Sequence, residues 1–157
     1  IKPDNIMITK DYTIKYIDFG LACTGRCKID SCSNSCRTGA GSLLYMAPEF
    51  FNGEGEDSLA ASQAHDVWSL SLVMMEMANG LFAVPFACLT PDGSSLLSQD
   101  EIMQNIVDAP SFSSDYEYDD GRTNQFLTNI IINDWKTRPD ALSILELFID
   151  LVLSKVY

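Results

Sequence analysis

From Ser62 to Asn79, apolar residues return every three or four positions, at Val67, Leu70, Val73, Met74, Met77 and Ala78. That period gathers them on one face of an α-helix of roughly five turns, and such a face must be covered by other elements. Gly80 stands where the helix should end, because glycine takes the left-handed C′ conformation without penalty. Any fold this chain adopts therefore has to bury a long helix.

The cover comes from shorter segments. Ser98 and Glu101 form an S-x-x-E capping box ahead of Ile102, Ile106 and Val107, which predicts a second helix starting at Ser98. Phe126 to Ile132 and Ala141 to Val152 show helical apolar spacing again, separated by Asn133-Asp134 and by Pro139. Ile6 to Ile8 and Thr13 to Ile17 are β-rich runs on either side of the turn-like Lys10-Asp11, which predicts a small hairpin. Leu21 to Gly41, the Pro/Gly/Ser-rich run between the first two helices, and the acidic Ser111 to Gly121 lack periodicity and read as loops. With no internal repeat and no linker, the 157 residues form one domain that is mostly helical after Cys36.

Composition narrows the function classes. Hydrophobic residues make up 46% and charged residues 20%, ordinary globular usage that argues against disorder. The net charge of −12 argues against a nucleic-acid-binding surface, since phosphate backbones select for Lys and Arg, and makes a basic peptide the better guest. The most apolar stretch, near the C-terminus, is broken by Glu146 and Asp150, so no membrane span is expected and the chain reads as soluble. Five cysteines fit a reducing interior, and no secretory signal opens the sequence, so an intracellular, cytoplasmic location is expected.

The hairpin carries the chemistry. Asn5 sits at the mouth of its first strand and Asp18 just past the end of its second, so strand pairing brings an amide oxygen and a carboxylate together. Hard oxygen ligands of this kind suit Mg²⁺ when the ion also holds substrate phosphates. Lys2, three residues before Asn5, would set a positive charge where charge develops on a transferring phosphoryl group. Spacing alone favours the plainer reading, a surface hairpin with polar ends.

The landmarks taken in order decide between the two. Ile1-Lys2-Pro3-Asp4-Asn5 matches the last five positions of H-R-D-L-x-x-x-N, Asp18-Phe19-Gly20 matches D-F-G, and Ala47-Pro48-Glu49 matches A-P-E. Asp66-Val67-Trp68-Ser69-Leu70 looks like the start of a central buried helix, and Arg138-Pro139 resembles the arginine that pairs with the A-P-E glutamate. The chain thus strongly resembles the C-terminal lobe of a eukaryotic-type protein kinase, over essentially its whole length.

The resemblance implies an α+β kinase-like fold, a mainly α-helical C-lobe with a small β-hairpin and the N-lobe absent. Residues 1–157 would be a partial kinase domain entered at the end of the catalytic loop, with an activation segment at 18–49. Asn5 and Asp18 would hold Mg²⁺, Lys2 would contact the γ-phosphate of ATP, and Met7 would lie beneath the adenine, unless it only packs in the core. Phe19 would pack in the regulatory spine beside Gly20, Asp66 would hold the catalytic loop through backbone amides, and Glu49 would pair with Arg138. The Gly-rich loop, the strand lysine and the catalytic aspartate would belong upstream of Ile1, so these 157 residues alone are expected to be inactive.

Lys2 within KPDN, and Gly41-Ser42 before Tyr45-Met46-Ala47, resemble the Ser/Thr class, with Ser42 meeting the substrate. Glu76 either contacts substrate arginines or is a buried structural carboxylate. Thr38 either accepts an activating phosphate from an upstream kinase, with Arg26, Lys28 and Arg37 nearby, or stays unmodified. Cys23, Cys27, Cys32 and Cys36 allow a Zn²⁺ site, a redox disulfide or free thiols. Ser71 departs from the family's usual glycine, and a bond back to a carbonyl one turn earlier would accommodate it. Three functions follow from these readings: an ATP-dependent protein serine/threonine kinase acting on protein or peptide substrates, a pseudokinase scaffold, or a free C-lobe decoy.

Overall fold

A computed structural model describes residues 1–22, 41–53, 59–79, 95, 97–108 and 121–153, side chains at 59–62 and 79 apart. It is mostly helical with one two-stranded antiparallel sheet. Strands β1 (Ile6–Ile8) and β2 (Ile14–Tyr16) pair Ile6 with Tyr16, Met7 with Lys15 and Ile8 with Ile14. The turn between them is closed by Thr9, whose carbonyl accepts the Tyr12 amide and whose hydroxyl accepts the Thr13 amide, both at 3.0 Å. Tyr12 takes a left-handed φ of 61° there.

After a 3-10 turn at Leu43–Tyr45 come α1 (Pro48–Asn52), α2 (Leu59–Asn79), α3 (Gln99–Asp108), α4 (Arg122–Ile130) and α5 (Ala141–Leu153). Pro48 opens α1, where its missing N–H costs nothing, and Gly53 closes it at φ 65°. The predicted capping box closes on α3. Ser98 N donates to Glu101 Oε2 at 2.8 Å and Glu101 N returns to Ser98 Oγ at 3.3 Å. At α5 the cap is Asp140, whose Oδ1 accepts the Ser143 amide at 2.8 Å.

The long helix α2 runs as its periodicity predicts, but its buried face differs. Val67, Trp68, Leu72, Val73 and Met75 are buried, together with Ser69, Ser71 and Glu76, whereas Met77 is 81% exposed. Ser71 turns inward because Oγ bonds back to Val67 O at 2.9 Å, leaving its polar group satisfied where a side chain must be small. The same oxygen lies 3.4 Å from Ile130 O at the end of α4. Helix α4 starts four residues before the expected Phe126, because Arg122 to Gln125 are polar and carry no period.

The core joins Ala47, Val67, Trp68, Leu72 and Met75 to Ile106 of α3, to Phe126, Leu127 and Ile130 of α4, and to Ile144 of α5. α2 is the hub. Both strands of the hairpin stand outside this core, with Ile8, Ile14 and Tyr16 exposed. Among the described residues no helix is long and apolar enough to cross a membrane.

Candidate functional site

Pro3 to Asn5 form one 3-10 turn that feeds directly into β1. Pro3 pre-sets the first φ of that turn, Asn5 N donates to Lys2 O at 3.0 Å, and Ile6 N donates back to Pro3 O. Asn5 O then accepts the Ile17 amide at 2.9 Å, one step beyond the Ile6–Tyr16 pair. Strand register therefore sets Asn5 opposite Ile17, and Asp18 follows one residue later at the end of the hairpin where the 3-10 turn stands.

Asp18 adopts φ 59°, a left-handed conformation that its short polar side chain tolerates, and its Oδ1 accepts the Gly20 amide at 3.3 Å. A Cβ at residue 20 would lie 3.3 Å from that same oxygen, which favours glycine at this position. Lys2 Nζ is 3.6 Å from Asp4 Oδ2, a solvent-exposed contact worth about 0–1 kcal/mol, so the lysine is lightly held. A carboxylate, an amide and an ammonium thus gather at one end of a hairpin. Oxygen donors of this kind suit a hard divalent cation, and the ammonium suits a phosphate.

Some expected contacts are not made among the described residues. Phe19 is 69% exposed and Met7 53% exposed, so neither packs in the core that the described residues form. Asp66 lies two turns inside α2, is exposed, and takes no amide from residues 1–5 among the described residues. That loop's own turn and the hairpin already occupy the Asn5 and Ile6 amides. Cys23, Cys27, Cys32, Cys36 and Thr38 lie outside the described residues, and among those described no cluster of His, Cys, Asp or Glu could hold a metal.

A second group of contacts ties the loop around Ser42 to the helices. Glu49 and Arg138 meet as a buried bidentate pair, Nη1 to Oε1 at 2.8 Å and Nη2 to Oε2 at 3.0 Å. Arg138 also donates to the carbonyls of Ala64, Ile132 and Asn133, and its guanidinium lies 5.0 Å from the Trp68 ring centre. Both charged groups of the pair are hydrogen-bonded, as buried charges require.

Ser42 is half-buried, and its carbonyl accepts the Tyr45 amide at 3.0 Å. Tyr45 is clamped at both ends, its carbonyl 2.6 Å from Ser69 Oγ and its hydroxyl donating to Glu76 Oε1 at 2.9 Å. Glu76 is buried and holds that bond, as its reading as a structural carboxylate requires. Burial, and then the Glu76 carboxylate, push the Tyr45 phenol well above the usual range. His65 packs edge-on against Phe50 with ring centres 5.3 Å apart, and burial lowers its pKa, opposed by Glu49 and Asp66.

Sequence reasoning missed the Tyr45–Glu76 and Ser69–Tyr45 contacts, which join positions 31 and 24 residues apart and leave no local signal. It also missed the Asp140 cap, for which the D-x-x-S spacing ahead of α5 was a readable signal.

Comparison with known proteins adds independent support. A sequence model of the protein kinase domain matches residues 1–148. The chain is 32% identical over 134 residues to the MAP kinase kinase MKK1/SSP32 of Saccharomyces cerevisiae, covering 75% of this chain and 23% of the relative. It is 30% identical over 141 residues to the mitogen-activated protein kinase kinase SIPKK of Nicotiana tabacum, covering 90% and 36%. The serine/threonine-protein kinase pakB of Dictyostelium discoideum is 27% identical over 141 residues, covering 90% and 14%. The chain thus spans about a third or less of the length of these relatives.

Proposed function

The chain belongs to the protein kinase domain family, and from that premise we propose that it carries the metal- and phosphate-handling end of an ATP-dependent protein serine/threonine kinase. The observation that supports the reading most is the strand register, which brings the chain segment carrying Asp18 to the same end of the hairpin as Asn5 and the turn that follows Lys2.

In this role Asn5 and Asp18 hold Mg²⁺, which when bound supplies charge neutralisation on the nucleotide phosphates. The lysine complements that by meeting the γ-phosphate as a point charge, a role its loose tether to Asp4 permits. Asp18 is pre-aimed by its bond from the Gly20 amide, so little reorganisation is needed. Met7 lies beneath the adenine, with its 53% exposure leaving the thioether free to be covered. Residues 18–49 form the activation segment, in which Thr38 receives a phosphate from an upstream kinase.

The substrate is a protein Ser or Thr placed against Ser42. Two of the relatives are named as kinases of mitogen-activated protein kinases and a third as a serine/threonine kinase, which supports a protein substrate. The net charge of −12 favours basic segments around the acceptor. The H-R-D aspartate of the family's pattern does not occur within these 157 residues.

The test is phosphoamino-acid analysis after incubating the complete polypeptide that carries this chain with radiolabelled ATP, Mg²⁺ and a mixed protein substrate. Label on serine and threonine is expected. Label on tyrosine alone would overturn the specificity, and no label at all would favour a scaffold.

A further inference from the structure

A hollow of about 350 Å³ opens between α1, the last turn of α3 and the segment that joins α4 to α5. Pro48 and Glu49 line it from α1, Val107 from α3, and Asp134, Trp135 and Lys136 from the joining segment. Its size falls in the range of pockets that hold small molecules.

Two parts of this lining are held in place. Glu49 is fixed by its bidentate pair with Arg138. Asp134 closes a turn, its Oδ1 accepting the Lys136 amide at 3.0 Å and its carbonyl accepting the Thr137 and Arg138 amides at 3.1 Å. Trp135 stands on that turn, with Lys136 Nζ 5.6 Å from its ring centre. Its indole Nε1 is buried, yet meets no acceptor among the described residues. A donor in that state has lost water without gaining a partner, and an acceptor brought to it removes the penalty.

The lining decides which acceptor. A cationic ammonium has no lone pair to offer the indole, and an anionic group meets two carboxylates, Glu49 and Asp134, against the single ammonium of Lys136. A neutral carbonyl oxygen meets neither objection. Pro48, Val107 and the Trp135 ring offer apolar surface to the body that carries it. We infer that this hollow binds a small neutral amide with an apolar body, its carbonyl oxygen accepting the Trp135 Nε1–H. The site shares no residue with the polar end of the hairpin, so its occupancy does not depend on the serine/threonine kinase reading.

The experiment uses the complete polypeptide that carries this chain. Benzamide, benzoate and benzylamine, one ring with a neutral, an anionic and a cationic head group at neutral pH, are titrated while the indole N–H resonances are followed by NMR. The Trp135 signal is the one that Trp135→Phe removes and Lys136→Ala shifts. Benzamide is expected to move that signal saturably and to bind at least about threefold more tightly than either of the others, the ordinary net worth of one hydrogen bond. Saturation-transfer NMR on the benzamide itself then reads two variants. Trp135→Phe keeps a ring but removes the N–H, Val107→Trp fills the hollow from α3, and each should weaken benzamide by a similar factor. No saturable movement of the Trp135 signal, as a hollow holding water alone would give, would overturn the inference. So would benzoate or benzylamine binding as tightly as benzamide, or a benzamide affinity that both variants leave unchanged.

Discussion

At the scale of single residues, the Glu49–Arg138 pair carries the largest stake. Removing one partner leaves a buried charge uncompensated, so Arg138→Ala should cost about 3–5 kcal/mol in urea unfolding, and Arg138→Met with Glu49→Leu should recover much of it. A cost below about 1 kcal/mol, the range of exposed pairs, would contradict the buried geometry. His65 makes the second prediction. Burial lowers its folded pKa below the ordinary 6.5, so below that pH the unfolded chain takes up a proton that the folded chain refuses. Stability from neutral His65 is thus intact above about pH 6.5 and falls as the pH drops through the lowered value. His65→Gln should flatten that part of the profile of urea midpoints between pH 7.5 and 5.5. The sequence holds one histidine, so its NMR titration can be followed without assignment ambiguity. Glu49 and Arg138 were legible as partners because short motifs mark both. Tyr45 and Glu76 were not, because a tyrosine and a glutamate 31 residues apart share no pattern, and only the packing of the loop on α2 brings them together.

At the scale of elements, the signals that could be read were local ones. The Ser98–Glu101 box lies within one turn, and both of its bonds form. Ser98→Ala should destabilise by about 0.5–2 kcal/mol and speed amide exchange in the first turn of α3, while exchange in α2 stays unchanged. The hairpin was legible for the same reason, since the β-rich runs and the turn between them lie within twelve residues of sequence. Helix α2 was legible in extent but not in orientation. A simple apolar period puts Met77 inside and the serines outside, yet Met77 is exposed while Ser69 and Ser71 are buried. The reason is that their hydroxyls spend their polarity on the carbonyls of Tyr45 and Val67, which lets them serve as small inward-facing residues. Ser71→Leu should therefore be more harmful than Ser71→Gly, because overpacking against the end of α4 costs about 1–3 kcal/mol.

At the scale of the molecule, the order of elements followed from the sequence, but the hairpin's setting did not. Register puts Ile6, Ile8, Ile14 and Tyr16 on one face, and the last three are exposed, as are Leu142, Leu145, Ile149 and Val152 along α5. Apolar faces of this extent associate, so the 157 residues prepared by themselves should form concentration-dependent oligomers. A monodisperse monomer in light scattering at high concentration would contradict that. The exposure also explains why Phe19 and Met7 were placed differently by the family resemblance, which sets them in packed surroundings that the described residues do not supply. The central claim concerns the polar end of the same hairpin, where Asn5, Asp18 and Lys2 gather. The measurement that tests it most directly compares transfer of the γ-phosphate of ATP to a protein substrate by the complete polypeptide and its Asp18→Asn variant, across a Mg²⁺ titration. The account predicts Mg²⁺-dependent transfer that the substitution lowers at least about a hundredfold; transfer at an undiminished rate by the variant would contradict it.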